Sequence, residues 1–89
     1  MIFIVYNFTM AIISEKIEGK EILVEIKSSN IKSAKYNTET ENFTITFNTG
    51  GIYEYNKVPW QKFTKFRLAE SQGKYFNENI AKAHNYSKL

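Results

Sequence analysis

Residues 43–56, FTITFNTGGIYEYN, constrain the fold more than any other stretch of the chain. Phe43, Ile45 and Phe47 alternate with Thr44 and Thr46, the period of a strand with one buried face. Asn48–Gly51 is rich in turn formers, and Ile52–Asn56 returns with β-branched and aromatic residues, so the pattern predicts an antiparallel hairpin. Turn length then decides which side chains reach the core, because direction alternates strictly along a strand. A two-residue turn at Thr49–Gly50 sets Ile45 opposite Glu54 and buries a carboxylate. It also turns Tyr53 and Tyr55 outward as a stacking platform for bases. A three-residue loop, Asn48–Gly50 with Gly50 left-handed, sets Ile45 opposite Tyr53 and Phe43 opposite Tyr55. An unpaired buried carboxylate costs far more than the choice of turn, so the longer loop is expected, with both tyrosines in the core.

The flanking sequence extends this hairpin into a small domain. Lys20–Lys27 (KEILVEIK) reads as a strand and Ile31–Asn37 as a weaker one, followed by a polar turn. After Val58–Pro59 the period changes: Trp60, Phe63, Phe66 and Ala69 recur every three residues, the spacing of a helix packed on one side. Gly73 is expected to stop that helix in the left-handed region. A second short helix is expected from Asn77, as its cap, to about His84, with Phe76 as a staple. Strands followed by helices predict an α+β domain: a small antiparallel sheet of three to four strands, with two helices on one face.

The first fourteen residues carry no charge. They are too short and too polar to span a membrane, and show neither a basic leader nor a small-residue cleavage site. They read as an N-terminal strand or apolar extension, residues 1–23, ahead of a domain over residues 24–86. As a strand, the run is apolar on both faces, which predicts a homo-oligomer built on it. Translation starts at Met1 or at Met10.

Seven Phe, six Tyr and one Trp supply the apolar area that a chain of 89 residues needs for a core. There is no cysteine, which removes disulfides, thiolate metal sites and thiol nucleophiles together and suits a reducing cytoplasm. The one histidine, His84, has no second histidine or cysteine with which to hold zinc and reads as a surface or helix-capping group. Glu15, Glu18 and Glu21 read as a solvated face, and Gly50–Gly51 as a hairpin turn, since a phosphate-cradling loop leads into a helix. No catalytic constellation emerges, and no cofactor is implied.

Charge is unevenly placed. Residues 1–49 hold five lysines against six glutamates, whereas residues 50–89 hold seven Lys or Arg against three glutamates. A basic second half is the electrostatic mark of an anionic partner. Ser71–Asn77 (SQGKYFN) can present backbone N–H groups and Lys74 to a phosphate, or can simply connect two helices over Tyr75 and Phe76. Arg67 falls inside the apolar arc of its helix. Its stem either covers the aromatics with the head in water, or its head pairs with a carboxylate or a ligand phosphate.

The ordered set Ser28–Ser29–Asn30–Ile31, Tyr36, Phe47, Gly50, Tyr53, Tyr55, Val58–Pro59, then Ala69, Ser71, Gly73, Tyr75–Phe76–Asn77 and Ile80 resembles the KTSC domain. That family is named for a segment at the C-terminus of some lysyl-tRNA synthetases and includes stand-alone bacterial and phage proteins. The resemblance covers residues 24–86 and leans toward RNA. Sequence therefore predicts a non-enzymatic binding module for RNA or single-stranded nucleic acid. Lys57, Lys62, Lys65, Arg67 and Lys74 are expected on phosphates, with Tyr75 and Asn77 beside them. The alternatives are a protein-interaction or self-associating module and a binder of small anionic nucleotides.

Overall fold

The computed structural model describes Ile2–Phe3 and residues 12–89. Its strands are β1 Ile2–Phe3, β2 Ile12–Glu18, β3 Glu21–Ile26, β4 Ile31–Asn37, β5 Phe43–Phe47, β6 Ile52–Tyr55 and β7 Tyr86–Lys88. Between β6 and β7 lie α1 (Trp60–Leu68), α2 (Gln72–Phe76) and a π-helical turn, Asn77–Ala81. Every strand pairs antiparallel with its neighbours in chain order, which makes one seven-stranded meander.

The domain is α+β as expected, but the sheet has seven strands rather than three to four. The additional strands lack the alternation that marks the hairpin. β2 is IISEKIE and β7 is YSK, and both are held by pairing with β3 and β6 rather than by a hydrophobic pattern of their own. Of the uncharged N-terminal run expected to form an oligomerising strand, Ile2–Phe3 lie in β1 and Ile12–Ser14 open β2, while Met1 and residues 4–11 lie outside the described residues.

The hairpin follows the three-residue loop. Phe43 faces Tyr55, Thr44 faces Glu54 and Ile45 faces Tyr53, while Gly50 takes φ +99°. A residue with a Cβ is strained at that angle, which is why glycine ends the loop. Tyr55 is buried and Tyr53 packs against the core, so neither ring forms an exposed platform.

Helix-facing residues line up across the strands. Ile22, Tyr36, Phe43 and Tyr55 form one row, and Val24, Ala34, Ile45 and Tyr53 the next. α1 lays Phe63 and Phe66 on these rows, and the following segment adds Phe76 and Ile80, all buried. Phe63 stacks on Tyr36 at 4.5 Å, and Phe43 meets Phe66 edge-on at 5.0 Å, the geometries that aromatic quadrupoles favour. The Tyr36 hydroxyl donates to the Val58 carbonyl at 2.7 Å, satisfying both buried polar atoms.

Two helix boundaries differ from the sequence expectation. α1 ends at Leu68, where Ala69 turns extended, and the buried Gln72 amide donates to the Ala69 carbonyl at 3.0 Å. The second helix begins at Gln72, not at Asn77. Ser71 caps it by accepting from the Lys74 N–H, while Asn77 has ordinary helical dihedrals. Gly73 is therefore inside a helix, not a left-handed stop. A Cβ there would lie 3.9 Å from Asn30 Nδ2 and from Ile31 Cδ1, an ordinary contact distance, so α2 lies beside the turn before β4 without needing a glycine at this position.

Candidate functional site

Two segments far apart in sequence line one cleft. The first is the turn Ser28–Asn30. Ser28 Oγ accepts from the N–H groups of Asn30 (3.1 Å) and Ile31 (2.9 Å), a side-chain turn that fixes the backbone locally. Asn48 secures it from the hairpin loop: its side-chain amide donates to the Ser28 carbonyl, and its N–H to the Asn30 carbonyl, each at 2.8 Å. The second segment runs from Glu70 through α2 into the π turn. Between them lies a polar cleft of about 570 Å³, lined by Ser28–Asn30, Glu70–Lys74, Asn77, Glu78 and Lys82. Hydroxyls, amides, two ammonium groups and two carboxylates line it, so its charges balance. π turns recur at functional sites, and this one supplies Asn77 and Glu78 to the wall.

The seven residues expected to bind nucleic acid are not all at this cleft. Lys74 and Asn77 line it, both exposed. Tyr75 is half-buried against the core, and burial raises its hydroxyl pKa above the usual value. Lys65 is exposed on α1. Lys57 lines a smaller cleft of about 260 Å³ with Asn56, Ala83, His84 and Asn85, and its backbone sits at φ +55°. Lys62 is committed internally: Nζ donates to the Asn79 carbonyl and to His84 Nε2, both at 2.9 Å.

Arg67 is committed too. NH1 donates to Glu15 Oε1 at 2.9 Å, NH2 to Thr64 Oγ1 at 3.3 Å, and the guanidinium lies over Phe63 (4.7 Å) and Trp60 (5.1 Å). Of the two readings of this residue, the head pairs with a carboxylate and does not reach out to water. Glu15, expected on a solvated face, is the buried partner, 7% exposed. Sequence gave no sign of Lys82 in the wall, nor of Glu15 as a partner. Ser28–Asn30 did carry a signal, as the S-S-N of the family resemblance.

His84 predicts a pH dependence of stability. Its pKa is lowered by burial first and then by the Lys62 ammonium, against the raising effect of a hydrogen bond to the Asn56 backbone. The folded state thus binds this proton less readily than the unfolded chain, whose value is near 6.5. Stability from this group is complete above the unfolded value and is lost as pH falls from there toward the lowered folded value. Urea unfolding at about pH 7.5 and about pH 5.5 is expected to show a lower midpoint at the acid condition. In His84→Gln that difference should shrink. An undiminished difference in the variant would assign the titration to another group.

Comparison with known proteins agrees with the motif pattern. The KTSC domain model matches residues 27–86. A lysine–tRNA ligase of Nostoc sp. is 36% identical over 67 residues, which are 75% of this chain and 12% of the ligase. A lysine–tRNA ligase of Trichormus variabilis is 34% identical over the same length, again 12% of that protein. The chain therefore corresponds to a small part of those ligases. A protein of Stutzerimonas stutzeri is 30% identical over 61 residues, covering 68% of this chain and 86% of that one. Among solved structures, a KTSC domain protein from Yersinia pestis superposes with a TM-score of 0.71 at 27% identity, over 78% of this chain and 97% of its own. Both segments of this pattern, S-S-N and S-x-G-x-Y-F-N, contribute residues to the cleft lining, and the chain belongs to the KTSC domain family.

Proposed function

We propose that this chain is a non-enzymatic RNA-binding module that holds single-stranded RNA at the cleft between Ser28–Asn30 and Glu70–Lys82. One observation supports the reading: polar residues of the two motifs, Ser28–Asn30 on one side and Ser71, Lys74 and Asn77 on the other, line one cleft. Lys74 and Lys82 meet phosphates, while the Ser and Asn groups bond sugar hydroxyls and base edges. Glu70 and Glu78 keep the affinity low and repel a second phosphate. Relatives that carry this sequence inside a longer chain are lysine–tRNA ligases, enzymes of a tRNA substrate, and an RNA ligand fits that setting. A cytoplasmic location fits it as well.

Titration of labelled single-stranded RNA at two salt concentrations tests the reading. Two phosphate contacts predict a logarithmic salt slope of about −1.4, at about 0.7 per contact on single strands. Lys74→Glu with Lys82→Glu should weaken binding to all sequences alike, with the circular dichroism spectrum unchanged, since both side chains are exposed. Absence of binding at low salt, or binding indifferent to the charge reversal, would overturn it. Lys62 and Arg67 are unsuitable for this test, because reversing either breaks internal contacts.

A further inference from the structure

The turn that leads from β6 into α1 lines the smaller cleft of about 260 Å³, together with the segment that leads into β7. Two contacts tie these segments together: the Asn56 N–H donates to the Asn85 carbonyl at 2.9 Å, and His84 bonds the Asn56 backbone. Lys57 makes the turn at φ +55°, a left-handed conformation that glycine would adopt at lower cost. Backbone strain of this kind is retained chiefly at functional positions. The residue kept there is a lysine whose ammonium has no hydrogen bond or ion pair with another described residue. The side-chain amides of Asn56 and Asn85, which line the same cleft, are likewise without a partner among the described residues.

Charge narrows the choice of ligand. No carboxylate lines this cleft, whereas in the motif cleft Glu70 and Glu78 offset Lys74 and Lys82. Behind His84 stands a second ammonium, Lys62 Nζ, 2.9 Å from Nε2 and held by the Asn79 carbonyl at the same distance. An ammonium has three donors, so one of them is left for a ligand. Two acids lie near in the chain or the fold, and both are turned elsewhere. The Glu41 carbonyl accepts from the Val58 N–H at 2.9 Å, but its carboxylate acts on Tyr36. Glu78, beside Asn79, lines the motif cleft. The charged groups at His84 are thus Lys62 from α1 and Lys57 from the turn, both cations. Ammonium groups and amide donors without an acid select an anion. A volume below the about 300–1,000 Å³ usual for organic ligands selects a small one.

We propose that this cleft binds a small tetrahedral oxyanion of the phosphate class, between the Lys57 ammonium and the Asn56 and Asn85 amides, with Lys62 and His84 behind it. Lysine suits such a ligand as a compact point charge, and the amides supply direction. His84 then couples the ligand to pH. The neutral ring accepts from Lys62, but a protonated Nε2 is a donor and cannot. Lys62 and the imidazolium would repel each other at this spacing, and a doubly charged anion offsets both. The ligand therefore binds the protonated form more tightly, and by reciprocity raises the proton affinity of His84. The site shares no lining residue with the motif cleft, so it stands whether or not that cleft holds RNA.

The test is a titration of isotope-labelled protein with sodium sulfate, with sodium chloride adjusted to hold the ionic strength constant. Sulfate stays doubly charged at both about pH 5.5 and about pH 7.5, so a pH effect belongs to the protein. The backbone amide signals of Asn56, Lys57 and Asn85 are expected to shift and saturate together. Binding should be at least about threefold tighter at the acid condition. Sodium phosphate at about pH 7.5 should move the same three signals. Lys57→Gln should weaken sulfate binding at least about tenfold, the scale of one charge-assisted hydrogen bond. His84→Gln should bind equally at the two pH values, and Lys74→Glu should bind as the parent does, which separates this site from the motif cleft. Any of five results would overturn the proposal: no saturation, undiminished affinity in Lys57→Gln, a parent indifferent to pH, a pH effect that persists in His84→Gln, or signals that phosphate leaves unmoved. Loss of sulfate binding in Lys74→Glu would place the ion in the motif cleft and overturn it too.

Discussion

Replacing Phe63 with alanine is expected to cost about 3–5 kcal/mol, the usual scale for a fully buried aromatic. Phe63 is 0% exposed, stacks on Tyr36, meets Phe43 edge-on and lies under the Arg67 guanidinium. The truncation removes contacts on three sides, and the sheet below is too rigid to close over the gap. Trp60→Ala should cost less, about 1–2 kcal/mol, although the helical spacing places both rings on one stripe. Trp60 opens α1 and is 44% exposed, so it rests on Tyr36 and Phe63 from outside rather than filling the core. Urea unfolding of the two variants checks this ordering. Equal losses would mean that Trp60 is as buried as its spacing suggests.

Breaking the Glu15–Arg67 pair is the second large effect. The side chains are 9% and 17% exposed, so each charge has exchanged most of its water for the other. Glu15→Gln leaves a guanidinium with a weaker acceptor, and Arg67 Nε already lacks a hydrogen bond among the described residues. A loss of about 3 kcal/mol is expected, since removing one partner of a buried pair strands the other. Replacing both at once, Glu15→Leu with Arg67→Met, should recover most of that loss, because no charge then stays behind. If the double variant is as weak as the single ones, the pair contributes shape rather than charge compensation.

How much of this was legible in the sequence follows from the distance over which each feature is decided. The register of the Phe43–Tyr55 hairpin was legible because a wrong turn would have buried Glu54, a penalty visible within a dozen residues. The place of Tyr55 in the core followed from the same argument. β7 was not legible, since YSK pairs with β6 only after two helices have brought it back across the sheet. Glu15 and Arg67 stand 52 residues apart, and the charge run Glu15–Glu18–Glu21 looks solvated until β2 is laid beside α1. Gly73 and Asn77 were misplaced for a local reason: Ser71 caps the helix ahead of both, which places Gly73 inside α2 and Asn77 in the turn that continues it. At the cleft, the Ser71–Asn77 loop had singled out Lys74 and Asn77, and the family pattern Ser28–Asn30. Their convergence required the fold.

The central claim is that the two motif segments form one RNA site, and backbone amide shifts of isotope-labelled protein test it most directly. On titration with single-stranded RNA at low salt, the account predicts shifts concentrated at Ser28–Asn30 and Ser71–Asn77, saturating together with one midpoint. The open sheet face around Thr44 and Lys35 should stay still. Shifts confined to one segment, two separate midpoints, or changes centred on the sheet face would contradict it.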